Sequence, residues 1–378
     1  MGLFDPIWKT DDYSKTTKAE AAVRKITDPK KLYEISTTAP MISVRAAAVE
    51  NIHDDQMLFD IAMQNEFFVA EAAFKKIEDP SILKELALRG SDDIRYGELL
   101  PLIKNNEALI EIASNASSEY ARETAVEEIE DPDAVLNFAF SQDPVMRHVA
   151  RKAFDSKYIG QFRRRKEVVL TDAQFGRYID ALIFETSTNY DISIPLEIGT
   201  ADLQRISQNA GRTDVREKAF QRLMGEAPAE SLLSFYKEAR ANHWRDVQDN
   251  VERRITNRDS DKADVIYSFV KDPDVGCNMA SRCIGLLFSE KLDSVEGIEN
   301  MRSDAVQAYL ANMPSWEAQD SNHNEEYAIC RLATSLPASV RSNYGFEVSG
   351  YDYEDEDAFG RYTSHSTTIV YNGKTYHC

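Results

Sequence analysis

Isoleucine returns along the first third of this chain at a nearly fixed interval. Ile26, Ile52, Ile77, Ile103 and Ile129 are separated by 26, 25, 26 and 26 residues. Two positions after each stands Asp28, Asp54, Asp79, Asn105 or Asp131. Further on, Leu32, Leu58, Leu83, Leu109 and Val135 share one place, and Ile35, Ile61, Leu86, Ile112 and Phe138 share another. A segment of that length is too small to bury its own apolar face, so neighbouring segments must stack to be stable. The period therefore favours a row of small units over one closed core.

Each unit reads as two short helices. The first opens at an aspartate, in three cases followed by proline: Asp28-Pro29, Asp79-Pro80 and Asp131-Pro132. An aspartate at that point accepts from an orphan amide of the first turn, and proline at the first helical position loses no intrahelical donor. Leu32, Ile35 and Ser36, like Leu58, Ile61 and Ala62, fall at i, i+3 and i+4 and make one apolar face. The second helix carries Val44-Arg45, Ala48 and Ile52, echoed by Val69, Ala73 and Ile77, by Ala121-Arg122, Ala125 and Ile129, and by Met146-Arg147, Ala150 and Phe154. Such short helices are marginal alone in water, so stacking must supply their stability. In the fourth unit Gly97 and Pro101 interrupt the second helix, which predicts a kink or an altered stacking angle.

The pattern Val-Arg-x-x-Ala-x-x-x-Ile-x-Asp-Pro-x-x-Leu-x-x-Ile-Ala resembles HEAT-like (armadillo-type) α-helical repeat proteins, with some likeness to leucine-rich-repeat-variant units. The likeness is good over residues 19–154 and weaker over 200–290. It implies an all-α fold, an α-solenoid of stacked helix pairs, whose Val-Arg helices line a concave face. By the same resemblance Arg45, Arg122, Arg147 and Arg216 are structural arginines that pair with an aspartate of the array. Ala70 stands where the third unit would carry that arginine, so a continuous ladder is not expected.

The period marks an N-terminal array over 1–154 and is lost over 155–200, a divergent insertion or connector. That stretch holds the basic run Phe162-Arg163-Arg164-Arg165-Lys166 and the pair Thr171 and Gln174, spaced as a capping box. Degenerate helical copies resume over 201–345, at Val215-Arg216 and Ala219, at Val247, Val251 and Ile255, and at Val275, Met279 and Cys283. The chain is either one divergent array with an insertion or two packed arrays. Residues 346–378 change character: Tyr351 to Asp357 are acidic and aromatic, and residues 367–376 predict a β-hairpin turning at Asn372-Gly373. A lone hairpin is marginal in water, so it should dock on the helices or on a partner.

Chemistry is less legible. The net charge of −20 works against a phosphate backbone or an anionic membrane, and leaves open basic protein partners or simple solubility. No apolar run is long enough to span a bilayer, and no secretory signal is visible. Gly2 is not followed by the Ser or Thr that N-myristoylation wants, since Pro6 stands there. Cys277, Cys283, Cys330 and Cys378 form no CxxC pair and favour a reducing cytoplasm, and Cys277 and Cys283 read as small buried core residues. No nucleophile elbow, P-loop or dinucleotide fingerprint occurs, and no histidine precedes a glutamate as in HEAT-like hydroxylases. His365, His377 and Cys378 could gather near the hairpin end, a weak metal set. Arg163, Arg164, Arg165 and Lys166 are the candidate binding residues, for a phosphate, an acidic peptide, solvent or the chain's own 352–357 segment. The expected function is a non-enzymatic protein-interaction scaffold with no cofactor. The alternative is an enzyme on the same scaffold, such as a HEAT-like DNA glycosylase, which would need a basic groove, or a bilin lyase.

Overall fold

Pairs of short helices fill the 26-residue spacing in a computed structural model of the chain. The structure describes residues 6–378 apart from 65–66, 161–162, 259–261, 321, 323 and 358–359, with 351–366 described by their backbone. Gly2 and Phe162 lie outside the described residues, as do the side chains of 351–357 and of His365. The chain divides into two compact units, residues 1–215 and 216–378, so the boundary falls beyond the 155–200 connector.

The first unit holds α1 (Thr16–Val23), α2 (Pro29–Thr38), α3 (Ile42–Val49), α4 (Asp55–Gln64), α5 (Phe67–Phe74), α6 (Pro80–Arg89) and α7 (Tyr96–Leu99). It continues with α8 (Asn106–Asn115), α9 (Glu119–Glu128), α10 (Pro132–Phe138), α11 (Pro144–Tyr158), α12 (Asp172–Phe184) and α13 (Thr200–Asn209). Helices α2, α4, α6 and α8 pack each against the next, and so do α1, α3, α5, α7, α9 and α11. Within each pair α2 meets α3, α4 meets α5, α6 meets α7, α8 meets α9 and α10 meets α11. Ile52, Ile77, Ile103 and Ile129 are buried at the ends of these pairs, and Ile26 is half-buried. Ala48, Ala73, Ala125 and Ala150 are wholly enclosed, where a larger side chain would hold the helices apart.

The caps form at the expected residues. The carboxylates of Asp28, Asp79 and Asp131 accept from the amides of Lys30, Ser81 and Asp133 at 3.1, 2.8 and 3.1 Å, and Asp143, which is not among the expected caps, accepts from Val145 at 2.9 Å. Asn105 does the same work, accepting from Glu107 and Ala108. Asp143→Ala should therefore cost about 1 kcal/mol in urea unfolding of the full chain, the usual cost of a lost N-cap. In the fourth unit Pro101 limits α7 to one turn, followed by a 3-10 turn at Leu100–Leu102.

A second device was not foreseen. Side chains at the end of a second helix reach back to the open carbonyls of the preceding one. Asn51 Nδ2 donates to Arg24 O at 2.9 Å, and Lys76 Nζ to Val49 O and Glu50 O at 3.0 and 2.6 Å. Lys157 Nζ donates to Ile129 O at 2.5 Å and the Tyr158 hydroxyl to Glu130 O at 2.6 Å. Helix ends leave carbonyls without intrahelical donors, so the ends of α3, α5 and α11 complete those of α1, α3 and α9.

Helix α14 (Thr213–Glu226) crosses the boundary into the second unit, which adds α15 (Leu232–Ala241), α16 (Arg245–Arg253), α17 (Ala263–Lys271) and α18 (Cys277–Leu287). The last helices are α19 (Ile298–Gln319) and α20 (Glu325–Ser335). Helix α19 runs for 22 residues with Pro314 inside it. Val247, Val251, Ile255, Val275, Met279 and Cys283 are buried. Trp316 is enclosed and donates to Pro273 O at 2.9 Å, and Trp244 packs on Phe220, so both act as packing anchors. Among the described residues no helix is long and apolar enough to cross a membrane.

The tail corrects two expectations. The hairpin is part of a three-stranded antiparallel sheet, β1 (Glu347–Asp357), β2 (Gly360–Tyr371) and β3 (Lys374–His377), in the order β1-β2-β3. The stretch taken as an acidic segment supplies β1, pairing Glu347 with Val370 and continuing to Asp357 with Gly360. The turn is as expected, with positive φ at Asn372 and Gly373. Strands β2 and β3 pack on α20, and there Cys330 and Cys378 form a disulfide. The expectation of reduced cysteines therefore fails for this pair, because β3 returns the C-terminus to α20. It also removes Cys378 as a metal-binding thiolate beside His377. Cys277 and Cys283 remain buried thiols.

Candidate functional site

The connector after α11 does not leave the first unit; it folds back across α11 and α12. Three charges bury themselves there. Glu185, at the end of α12, has no exposed surface and lies between Arg147 and Arg151 of α11. Arg147 Nη2 donates to its Oε1 at 2.9 Å, Arg151 Nη1 contacts Oε2, and the amides of Thr186 and Ser187 donate at 3.0 and 2.7 Å. Burial pushes this carboxyl up, but donation from Arg147, Ser187 and Arg151 outweighs it and brings the pKa down to about 2. A carboxylate so held stays ionised and fixes the connector, and its lone pairs are engaged by its own chain.

Beside it is a pocket of about 100 Å³ with His148, Asp155 and Asp191 in its wall. The rings of His148 and Tyr190 stack, with centroids 4.2 Å apart. Burial, followed by the charges of Arg151 and Lys152, lowers the pKa of His148. Asp155 is pushed up to about 6 by burial, against the pull of the Tyr178 hydroxyl and Arg151. Asp155 Oδ1 and the Tyr178 hydroxyl are buried neighbours, yet neither has a partner at hydrogen-bonding geometry. The space is well below the roughly 300 Å³ at which ligand pockets begin.

The basic run lies along the end of α11. Arg164 and Arg165 donate their amides to Ser156 O and Lys157 O, each at 2.9 Å. The guanidinium of Arg164 reaches Ser156 Oγ at 2.9 Å, while Arg165 pairs with Glu130 and, at 3.7 Å, with Glu167. Lys166 is exposed. Arg163 lines a groove of about 190 Å³ with Val168, Leu170, Phe175 and Glu197. Two of the four side chains are thus engaged within the first unit.

The arginines expected to pair with aspartates behave differently where their contacts are resolved. Arg122 donates to Ala116 O at 3.0 Å, and Arg147 to Ser141 O and Gln142 O at 2.9 and 3.1 Å. Arg122 thus closes the end of α8, whereas Arg147 holds the loop between α10 and α11 and adds Glu185. Ion pairs between successive units come instead from other positions: Arg24 with Glu50, Arg95 with Glu71 and Lys84 with Glu111.

One surface was missed. Ile42 and Phe67 open α3 and α5, Phe68 follows, and Tyr120 is the second residue of α9. All four are exposed, Phe68 by 67% and Tyr120 by 52%. These places precede Val44, Val69 and Ala121, so the period itself could have flagged them: apolar residues just ahead of the buried face. On α9, Glu119, Glu123 and Glu127 follow at i, i+4 and i+8, on one helix face. Burial, then the charges of Glu119, Glu127 and Asp143, raises the pKa of Glu123. The side of α9 that bears these carboxylates therefore carries a concentrated negative field. Compared with protein-family models, curated proteins and solved structures, the chain matches none of them.

Proposed function

We propose that this chain is a protein-binding scaffold, an α-solenoid of HEAT-like helix pairs that holds a basic protein segment bearing apolar side chains. The carrying observation is the exposure of Ile42, Phe67, Phe68 and Tyr120 on the opening turns of second helices. Helices α3, α5, α7 and α9 pack in sequence, and the four residues stand on the opening turns of three of them. Exposed aromatics such as those on α5 and α9 are costly to leave in water and are the residue type that anchors interfaces. The carboxylates at Glu119, Glu123 and Glu127 adjoin Tyr120 and favour a cationic partner, as does the net charge of −20.

Photoreactive phenylalanine placed at Phe68 and, separately, at Tyr120 tests this in extract of the source cells. Both positions should yield the same adduct, a control at Lys31 on α2 should not, and Glu119→Lys with Glu123→Lys should suppress it. Adducts that differ between the two sites, or that the control reproduces, would overturn the proposal. A damaged DNA duplex that binds tightly with a steep salt slope would favour the glycosylase alternative instead.

A further inference from the structure

Cys330 and Cys378 join the tail to α20 at the surface rather than within the core. Cys378 is exposed and Cys330 half-buried, whereas the two free thiols, Cys277 and Cys283, are enclosed. Both joined residues line a cavity of about 280 Å³, together with Tyr327, Arg331 and Thr334. Tyr327, Cys330, Arg331 and Thr334 fall at i, i+3, i+4 and i+7 on α20, so one helix face supplies that wall. Arg331 is set in place there, its Nε and Nη2 donating to the Tyr327 hydroxyl at 3.2 and 3.1 Å. A bond that serves only to fasten a tail needs no open space beside it.

In thiol–disulfide exchange a thiolate must reach one sulfur while the other departs, so access decides which is attacked. Access here favours Cys378. An incoming thiolate forms a new S–S bond to Cys378 Sγ, the Cys330–Cys378 bond breaks, and its electron pair leaves on Cys330 Sγ, which takes a proton from water. Opening the bond does not cast the tail loose. The Cys378 amide still donates to Thr367 O at 2.8 Å, the His377 amide to Glu326 at 3.0 Å and the Tyr376 hydroxyl to Glu325 at 2.8 Å. Cys378 therefore stays within reach of Cys330, whose thiolate attacks the mixed disulfide, expels the small thiolate and restores the original bond. Opening and reclosure balance with no other oxidant or reductant.

We infer that Cys330–Cys378 is a reversible thiolation site, at which a small thiol of the glutathione class adds to Cys378 and removes the covalent tie between β3 and α20. The cavity is close to the roughly 300 Å³ at which small-molecule sites begin, which suits such a thiol. Arg331 and Thr334 offer its amide and carboxylate groups hydrogen-bonding partners in the wall.

Glutathione is the probe. The full chain is equilibrated in mixtures of its reduced and oxidised forms, quenched with acid and mapped by mass spectrometry of its peptides. Wild type should pass from closed to open across those mixtures while keeping its helical circular dichroism. Cys330→Ser, which leaves Cys378 and removes the thiol that would expel the adduct, should hold one glutathione on Cys378. Cys378→Ser should take glutathione on Cys330 about tenfold more slowly, because that sulfur is half-buried. Should either variant unfold, the quenched wild-type intermediate decides, and its glutathione should lie on Cys378. A bond that stays closed in reduced glutathione, one opened only by a protein dithiol of the thioredoxin class, or a wild-type adduct mapped to Cys330 would overturn the assignment.

Discussion

Glu185→Ala is expected to destabilise the first unit by about 3–5 kcal/mol, because it leaves Arg147 and Arg151 charged and buried without their counter-ion. The loss should appear in urea unfolding of the full chain and as faster amide exchange over 144–187. Arg151→Met should cost less, since Glu185 keeps Arg147 and two backbone amides. A double-mutant cycle on Glu185 and Arg151 should show strong coupling. The same carboxylate sets a pH dependence. Its folded pKa of about 2 lies below the ordinary 4.5, so its contribution is present above pH 4.5 and lost as pH falls toward 2. The amount at neutral pH is about 3 kcal/mol. Asp155 works in the opposite sense: its pKa is raised from 3.8 to about 6, so its contribution is present at low pH and fades as pH rises through that interval. Subtracting the stability curve of Glu185→Gln from that of wild type isolates the first effect. A difference curve flat between pH 5 and 2 would show that the triad does not hold the connector.

What could be read in advance were local rules with strong physical signatures. Asp28, Asp79 and Asp131 had to cap because an aspartate before proline has few better uses. Thr171 and Gln174 close a reciprocal box as their spacing predicts, and Asn372-Gly373 turns the hairpin because few other pairs accept two positive φ values. Side chains whose meaning depends on a distant partner were not legible. Glu185 is one carboxylate among 64 acidic residues until α11 places two arginines on it. Cys330 and Cys378 stand 48 residues apart, and only the packing of β3 on α20 brings them together. The acidic stretch concealed a strand because its partner lies across a turn and its composition suggests solvent rather than pairing. Lys76 and Lys157 carry no such signature, because a lysine reaching back to carbonyls of the preceding unit leaves no pattern distinct from a solvated one.

The other large expected effect belongs to the second unit. Reducing Cys330–Cys378, or replacing both residues by serine, should lower its stability by about 2–4 kcal/mol. The bond spans 48 residues, and closing a loop of that length in the unfolded chain is worth about 4 kcal/mol on the entropic account. It also fixes β3 against α20, where its companions are weaker. The Tyr376 hydroxyl and Lys374 Nζ donate to Glu325 at 2.8 and 3.1 Å, and the His377 amide to Glu326 at 3.0 Å. Burial of Ile369 and Tyr376 should keep the sheet seated once the bond is gone, so the native fold persists with a lower melting point. In calorimetry of the full chain a reductant should shift only the transition of the second unit. Cys330→Ser/Cys378→Ser should match reduced wild type with or without reductant. Thiol labelling of the folded, reduced chain should find Cys330 and Cys378 and spare Cys277 and Cys283. Burial encloses the latter pair and pushes both thiols up, Cys277 to about 11, so few thiolates form there. A reductant-insensitive second transition, or labelling of the buried pair first, would show that the tail is not fastened to α20 in solution.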